Sequence, residues 1–208
     1  AVFKKHPQLY IMSDEIYEHI IYEGKHESIA QYDFLKDRVI LINGLSKAFA
    51  MTGWRLGYLA TTAEIAKACD KLQGQFTSAT CSITQRAGIA ALTGTLEPTM
   101  QMLEAFKKRR QRVMQIVQEI PGFICNEPPG AFYIFPDVHA YFGKKTAAGD
   151  VIANADDLAM YLLNTAHVSS VSGKGFGEEN CIRFSFANSL ENIEKGFGKI
   201  RAALAALK

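Results

Sequence analysis

Long apolar runs, a paired-cysteine pattern and an excess of charge of one sign are all missing from this 208-residue sequence. No stretch approaches the roughly 18 to 20 uninterrupted apolar residues that a membrane helix requires, so we expect no membrane contact. The formal net charge is only +2, which gives no overall field favouring nucleic acid or an anionic surface. Residues 1–7 carry charge where a signal peptide has its apolar segment, so we expect a cytoplasmic protein.

The four cysteines fit neither a metal site nor a redox motif. They are Cys69, Cys81, Cys125 and Cys181, and no two of them form a CxxC pair. Reduced, buried thiols in the cytoplasm are the preferred interpretation. The five histidines are scattered and form no HExxH or H-x3-H pair, so the sequence predicts no metal site.

What the chain does contain is typical of a folded protein. Apolar residues make up 48% and charged residues 21%, close to the averages of globular chains. This composition excludes a largely disordered chain, which could not bury enough apolar surface to offset the entropy of ordering. At about 150 residues per domain, the length predicts one or two domains.

Short apolar runs alternate with helical patterns in the first third, as in α/β proteins with a parallel sheet. We expect strands at 9–12, 39–42 and 56–61, the first of them buried and the second ending at the turn signal Asn43-Gly44. Helices are predicted over 62–76, 82–94 and 97–120. The last of these has a predicted buried stripe at Met100, Leu103, Phe106, Val113, Ile116, Val117 and Ile120.

The rest of the chain mixes short strands with flanking helices. Strands are predicted at 123–125, 131–135 and 182–186, helices over 155–167 and 191–207, and a surface loop at 144–154. The sequence therefore predicts an α/β chain with a mostly parallel sheet domain over residues 1–96. A small α+β domain is expected over residues 97–208.

The segment from Gly44 to Gly57 carries the clearest chemical signal. Lys47 lies in a predicted turn at a strand end, and Arg55 follows eight positions later. The run Asp14-Glu15-Ile16-Tyr17 follows another strand, and Arg183 lies on a strand near the C-terminus. Polar residues beyond the carboxyl ends of parallel strands lie where open α/β sheets bind ligands.

Each of these residues also has a purely structural interpretation. Lys47 could be a solvated cation, and Asp14 could cap a following helix. Tyr17 could be a core residue with its hydroxyl at the rim, and Arg183 could face solvent through strand alternation. Only the combination of all four favours a functional site.

Together these segments resemble the class I and II aminotransferases, which are pyridoxal phosphate (PLP) enzymes of fold type I. Gly44–Gly57 fits that family's lysine signature, and Ser13–Glu18 and Pro129–Tyr133 are similar to its other recurrent motifs. The resemblance covers about residues 1 to 207 and is closest to the aspartate aminotransferase-like branch. It is to the later half of the family's chain, so we expect a fragment that holds PLP poorly by itself.

The resemblance implies a role in cofactor binding for five residues. Lys47 would form the covalent bond to the PLP aldehyde and carry the proton at the substrate Cα. Asp14 would pair with the pyridine nitrogen, and Tyr17 would bond the ring's phenolic oxygen. Arg55 would bind the phosphate, and Ser46 would partly replace a serine that many relatives have three positions before the lysine.

The resemblance also implies a substrate site and an activity. Arg183 would bind the substrate α-carboxylate with two parallel hydrogen bonds. The expected reaction moves an amino group between aspartate or a similar amino acid and a 2-oxo acid such as 2-oxoglutarate. Another PLP lyase or synthase of this fold, or a non-catalytic ligand-sensing module, are the alternatives. A homodimer is expected, with the residues around 75–80 facing the neighbouring subunit.

Two further segments receive structural interpretations. The basic run Lys107–Arg112 lies at helical spacing between apolar turns, which is typical of a solvated helix face rather than a nucleic-acid site. The glycine-rich segment Gly173–Gly177 does not complete a GxGxxG phosphate motif. We interpret it as a segment that only shapes the backbone.

Overall fold

The computed structural model describes residues 2–208 and divides into two compact units. The first unit ends at Leu103 and the second begins at Glu104, inside the long helix α4 (Glu97–Gln118). The domain boundary predicted between residues 96 and 97 stays a prediction; the helix begins at Glu97. Each unit has its own three-stranded sheet and its own helices.

The first unit is built on a sheet with the order β1-β2-β3. Its strands are β1 (Ile11–Asp14), β2 (Val39–Gly44) and β3 (Gly57–Ala60). The β1–β2 pair is parallel and the β2–β3 pair is antiparallel. The helices α1 (Val2–Lys5), α2 (Ala63–Phe76) and α3 (Ser82–Thr93) belong to the same unit. The predicted α/β class is confirmed, although only one of the two pairings in this sheet is parallel.

The prediction of a buried first strand is wrong in its burial and in its start. β1 begins at Ile11 rather than Leu9, and Met12 is 71% exposed. Within residues 2–208, β1 pairs with β2 on one side only, so it is an edge strand. Periodicity alone cannot distinguish an apolar edge strand from a central one.

The predicted turn at Asn43-Gly44 is also wrong. Both residues belong to β2, where Asn43 pairs with Tyr58 and Gly44 pairs with Gly57. A Cβ atom on Gly44 would lie 2.9 Å from the carbonyl oxygen of Leu56. Glycine is therefore needed here because two backbones approach closely, and not because the chain turns.

Helix α4 buries most of its predicted stripe, but Met100 is 50% exposed. The prediction for Met100 is wrong because the first turn of the helix presents Thr99 to the interior instead. The Thr99 hydroxyl is buried and donates a hydrogen bond to the carbonyl oxygen of Ala48 at 2.8 Å. Thr99 and Leu103 are four residues apart and therefore share one helix face.

The second unit contains an antiparallel sheet in the order β4-β6-β5. These strands are β4 (Tyr133–Ile134), β5 (Val171–Ser172) and β6 (Ile182–Ser185). Helix α5 (Ala155–Tyr161) continues as a π-helical turn, Leu162–Ala166, and helix α6 (Leu190–Ala205) ends the chain. The buried side of this unit includes Val138, Leu158, Leu162, Ile182, Phe186 and Ile200.

Two predictions for this unit are corrected. Residues 123–125 form no strand, because only Ile124 makes an isolated bridge, to Asp137. The segment 144–154 is a loop, but Ile152 within it is buried and Lys145 bridges to Val151.

Across the part of the chain that the structure describes, no helix combines the length and the apolar character needed to span a bilayer.

Candidate functional site

One edge of the first sheet collects five of the predicted site residues. Asp14 ends β1 and pairs with Ile42 of the parallel strand β2, so these two strands finish at the same edge. Since β3 runs antiparallel to β2, its first residue, Gly57, pairs with the last residue of β2, Gly44. The turns after β1 and β2 and the segment before β3 therefore all lie at this edge.

Lys47 and Tyr17 are brought together there. Lys47 lies in the turn after β2, whose closure includes a hydrogen bond from the Phe49 amide to the Leu45 carbonyl. Leu45 and Ala48 are buried, so this turn is anchored in the interior on both sides of the lysine. The Lys47 Nζ atom lies 5.9 Å from the centroid of the Tyr17 ring, a separation at which a cation and an aromatic face attract each other.

Asp14 makes a local structural contact, which is part of the alternative interpretation given for it above. Its Oδ1 atom accepts a hydrogen bond from the backbone amide of Ile16 at 3.2 Å, which stabilises the turn that carries Tyr17. The residue is exposed at the end of β1. This arrangement fixes a carboxylate at the same edge as Lys47.

Arg55 and Ser46 belong to the loop of residues 45–56. Arg55 adopts a left-handed backbone with φ of 55°, and its Nη1 donates to the carbonyl oxygen of Thr52 at 2.8 Å. A non-glycine residue with positive φ is uncommon and often occurs where a functional side chain must be aimed. Ser46 is half-buried beside Lys47, while Arg55 is exposed.

Glu15 is a buried carboxylate that the sequence analysis did not single out. It is 6% exposed and accepts hydrogen bonds from the hydroxyls of Ser13 and Ser28, the ring of His26 and the amide of Ile29. Burial acts to raise the pKa of Glu15, but these four hydrogen bonds outweigh it and hold the pKa below its usual value. The side chain thus ties the segment 26–29 to the end of β1, directly beside Asp14.

A second polar link joins the turn of Tyr17 to the end of β2. The buried Asn43 side chain donates from Nδ2 to Glu18 Oε1 at 2.7 Å, and its Oδ1 accepts from the Gly44 amide at 2.7 Å. Burial, together with the charge of Glu18, raises the pKa of Tyr58. Glu18 lies in the motif Ser13–Glu18 and Asn43 in the predicted turn, but neither position reveals the link, which appears only in the folded chain.

Arg183 lies on β6 in the second unit. Its Cζ atom lies 4.6 Å from the centroid of the Tyr133 ring and 4.4 Å from that of the Phe176 ring. Arg183 therefore lies on the outer face of the strand, as alternation indicates, but its side chain is half-buried by two rings. The interpretation of Gly173–Gly177 as mere backbone shaping missed the Phe176 ring.

Other clusters carry no comparable chemistry. Within residues 2–208, no three histidine, cysteine or acidic side chains are grouped so that they could hold a metal ion. The basic run is largely neutralised in the second unit: Lys107 pairs with Glu104 at 2.7 Å, and Arg112 pairs with Glu194 at 2.7 Å. Arg110 also pairs with Glu127, at 3.1 Å.

Comparison with known proteins gives consistent matches over the whole chain. A family model described as "Aminotransferase class I and II" matches residues 1–200. A bifunctional aspartate aminotransferase and glutamate/aspartate-prephenate aminotransferase of Petunia hybrida is 43% identical, over 100% of this chain and 44% of its own length. A probable aspartate/prephenate aminotransferase of Rickettsia bellii is 42% identical, over 99% of this chain and 52% of its own.

Solved structures agree with these relatives. The crystal structure of the aspartate aminotransferase from Rhizobium meliloti superposes with a TM-score of 0.94 at 38% identity. The match covers 100% of this chain and 52% of that one. The chain thus spans about half the length of the relatives that it matches.

Proposed function

This chain belongs to the class I and II aminotransferase family, and we propose that the enzyme containing it transfers an amino group from an amino acid to a 2-oxo acid. Aspartate or a similar amino acid is the proposed donor, and 2-oxoglutarate or a similar acid is the acceptor. The names of the Petunia and Rickettsia relatives support this choice.

The observation that carries the proposal is the convergence at the sheet edge. An amine, a carboxylate, a phenol and a guanidinium group, from Lys47, Asp14, Tyr17 and Arg55, belong to three segments that meet there. Ordering four polar side chains at one edge costs conformational entropy, which a bound ligand that contacts all of them would offset. The lysine and the phenol are already near each other, at 5.9 Å between Nζ and the ring centroid.

The donor set fits pyridoxal phosphate, the cofactor that the family implies. Its aldehyde requires a primary amine, its pyridine nitrogen a carboxylate and its phosphate a guanidinium fork, and Lys47, Asp14 and Arg55 offer these three groups. Tyr17 and Ser46 add hydroxyl groups for the phenolic oxygen and the phosphate. When bound, PLP supplies an electron-withdrawing ring that weakens the bonds at the Cα of the amino acid.

Residues of this chain would then move the proton, orient the substrate and keep the pyridine nitrogen protonated. Lys47 would take the proton from the substrate Cα and deliver it to the aldehyde carbon of the cofactor, as a positioned general base and acid. Arg183 would hold the α-carboxylate in one plane, which selects the Cα–H bond for cleavage over the bond to the carboxylate. Asp14 would keep the pyridine nitrogen protonated through a charge-assisted hydrogen bond.

Chemical trapping tests the proposal without relying on turnover. We expect borohydride reduction of the PLP-loaded enzyme to leave the cofactor covalently attached to Lys47, as located by peptide mass spectrometry. Lys47→Ala should abolish both the attachment and the formation of a 2-oxo acid from aspartate. Lys25→Ala, which removes an exposed lysine of the same unit, is the matched control and should change neither. Attachment at a different lysine, or none, would contradict the assignment.

The assay should also separate the reaction types. An aminotransferase yields a 2-oxo acid and a new amino acid in equal amounts, whereas a lyase or decarboxylase releases CO2 or a side-chain leaving group. Stoichiometric appearance of glutamate from 2-oxoglutarate is the expected result. Release of CO2 in its place would assign a different reaction to the same site.

We also propose that the enzyme is a homodimer. The stretch from Gln75 to Ala79 is exposed throughout, and Phe76 in it is 84% exposed. Ile83 on α3 is also exposed, and large exposed apolar side chains that form one patch are typical of an interface. Light scattering of the enzyme should give twice the mass of one chain, and a monomer at micromolar concentration would refute the proposal.

A further inference from the structure

We propose that the rings of Tyr133 and Phe176 form an aromatic clamp that positions the guanidinium of Arg183 for the substrate carboxylate. The clamp consists of these two rings only. The inference rests on the carboxylate-binding role proposed for Arg183. It assigns positioning roles to two uncharged residues.

The strand pattern places the first ring. Arg183 and Ser185 are two residues apart on β6 and therefore point to the same face, and Ser185 pairs with Tyr133 of β4. Ile182 and Phe184 point to the opposite, buried face. Tyr133 thus reaches Arg183 diagonally across the sheet, and the contact distance is 4.6 Å.

A tightly built turn places the second ring. Residues Gly173–Phe176 form a 3-10 turn in which the Ser172 hydroxyl accepts from the Lys174 amide at 3.3 Å. A Cβ atom at Gly173 would lie 2.1 Å from the carbonyl oxygen of Glu178, so no other residue fits there without a backbone shift. Gly177, with φ of 82°, ends the turn. The backbone is therefore fixed just before and just after Phe176.

The Phe176 ring is itself held in place although it is 51% exposed. It packs edge-on against Phe135, with ring centroids 6.0 Å apart and an interplanar angle of 87°. The contact with Arg183, at 4.4 Å, therefore does not depend on a freely rotating side chain. The turn Gly173–Phe176 places the Phe176 ring, and strand β6 places the Arg183 guanidinium group.

The guanidinium group of Arg183 contacts the rings of Tyr133 and Phe176. Among the residues that the structure describes, none forms an ion pair or a hydrogen bond with it. Aromatic faces attract a cation but take up few of its N–H donors, so these donors stay available to an incoming carboxylate. Restricting the side chain beforehand also lowers the entropy lost on binding.

The inference is tested in the holoenzyme that contains this chain. Phe176→Leu keeps an apolar side chain against Phe135 and removes the ring from Arg183. We expect it to raise the KM for aspartate about fivefold, the loss typical of one cation–π contact, with kcat changed less than twofold. Phe176→Tyr restores the ring and should restore the KM to within twofold of the parent value. Met160→Ala, which shortens an exposed apolar side chain of the same unit, should leave both constants unchanged.

A second measurement reports on the clamp without turnover. The Nε–H proton of Arg183 should show an NMR shift caused by the neighbouring rings, and Phe176→Leu should move it toward the value of a free arginine. An unchanged shift in Phe176→Leu would overturn the clamp. Loss of the shift together with an unchanged KM would also overturn it, since the ring would then contact Arg183 without positioning it.

Arg183→Lys separates the clamp from the role on which it rests. If Arg183→Lys raises the KM more than tenfold while Phe176→Leu behaves like Met160→Ala, the clamp is wrong and the carboxylate-binding role stands. If Arg183→Lys leaves the KM unchanged, the carboxylate-binding role itself fails and the clamp fails with it. A KM for aspartate that is higher than that of Met160→Ala in both Arg183→Lys and Phe176→Leu, and that Phe176→Tyr restores, supports the proposal.

Discussion

Glu15→Gln should destabilise the first unit at neutral pH, because the substitution removes a buried negative charge that accepts hydrogen bonds from several donors. Three donors, the hydroxyls of Ser13 and Ser28 and the amide of Ile29, all point to Oε1 of Glu15. The ring of His26 points to Oε2 at 2.7 Å. Glutamine keeps one acceptor oxygen for the first three donors but turns an NH2 group toward the histidine.

The expected loss follows from these contacts. Hydrogen bonds to a charged acceptor contribute about 1.5–3 kcal/mol each, and neutral ones about 0.5–1.5 kcal/mol. Glutamine keeps three of the four bonds in weaker form and loses the bond to His26 unless the ring changes tautomer. The free energy of unfolding should therefore fall by about 2 kcal/mol. With a urea m value of about 2 kcal/mol per molar, this lowers the midpoint by roughly 1 M.

The single tryptophan makes the measurement specific to one unit. Trp54 belongs to the first unit, and the sequence contains no other tryptophan, so its fluorescence during urea unfolding reports on that unit. Glu27→Gln is the matched control, since it removes an exposed carboxylate from the segment that Glu15 anchors. A midpoint for Glu15→Gln no lower than that of Glu27→Gln would refute the reasoning.

The pH dependence gives a second, signed test. Burial opposes ionisation of Glu15, but its hydrogen bonds prevail and hold the folded-state pKa below the ordinary value of 4.5. The stabilisation is therefore fully present above about pH 4.5 and is lost as the pH falls through the lowered pKa. The difference in unfolding free energy between the parent chain and Glu15→Gln should shrink in that range and stay constant above it. A difference that grew on acidification would show that the sign is wrong.

Three further outcomes are expected. Asn43→Asp should lower the Trp fluorescence midpoint by about 1 M urea at pH 7, because a buried amide that donates to Glu18 becomes a second carboxylate; recovery on acidification would support this cause. Gly44→Ser should destabilise the first unit by about 1–3 kcal/mol rather than improve cofactor binding, since its Cβ would lie 2.9 Å from the Leu56 carbonyl; an unchanged urea midpoint would contradict this. Cys81 should react with a maleimide faster than the two cysteines of the second unit, because hydrogen bonds from the amides of Thr84 and Ile83 lower its pKa whereas burial raises theirs; peptide mass spectrometry after partial labelling checks the order.

Helix boundaries could be predicted closely because the signals for them are local. The helix predicted over 62–76 is observed as Ala63–Phe76, although the Thr62 side chain makes no capping hydrogen bond. The last helix begins directly after Ser189, whose hydroxyl accepts from the Asn192 amide. Capping side chains and apolar spacing are properties of neighbouring residues, so one sequence is enough to locate them. Strand burial depends on partners far away in the chain, which is why the exposure of Met12 could not be predicted.

The candidate site shows the same limit. Lys47, Asp14, Tyr17, Arg55 and Arg183 were found because their spacing resembles a known family. The side chains that support them carry no such signal. Glu15 was passed over although it lies inside a quoted motif, since only the fold brings His26 and Ser28 to it.

The clamp on Arg183 was also outside the reach of sequence reasoning. Tyr133, Phe176 and Arg183 come from three separate segments, and an aromatic side chain in a glycine-rich loop is not by itself informative. The turn geometry that aims Phe176 depends on the absence of a Cβ atom at Gly173, which becomes interpretable only once the carbonyl of Glu178 is known to lie against it.

The pairing of Gly44 with Gly57 has a consequence for how the chain acquires its structure. The β2–β3 hairpin joins residues that are close in sequence, whereas β1 must find β2 across the long intervening segment 15–38. Closing a shorter loop loses less chain entropy, so the hairpin is expected to form first and β1 to add to it. Closure of this hairpin would restrict Lys47 and Arg55 to one small loop early in folding. The carboxylate of Asp14 would join them only when β1 pairs with β2.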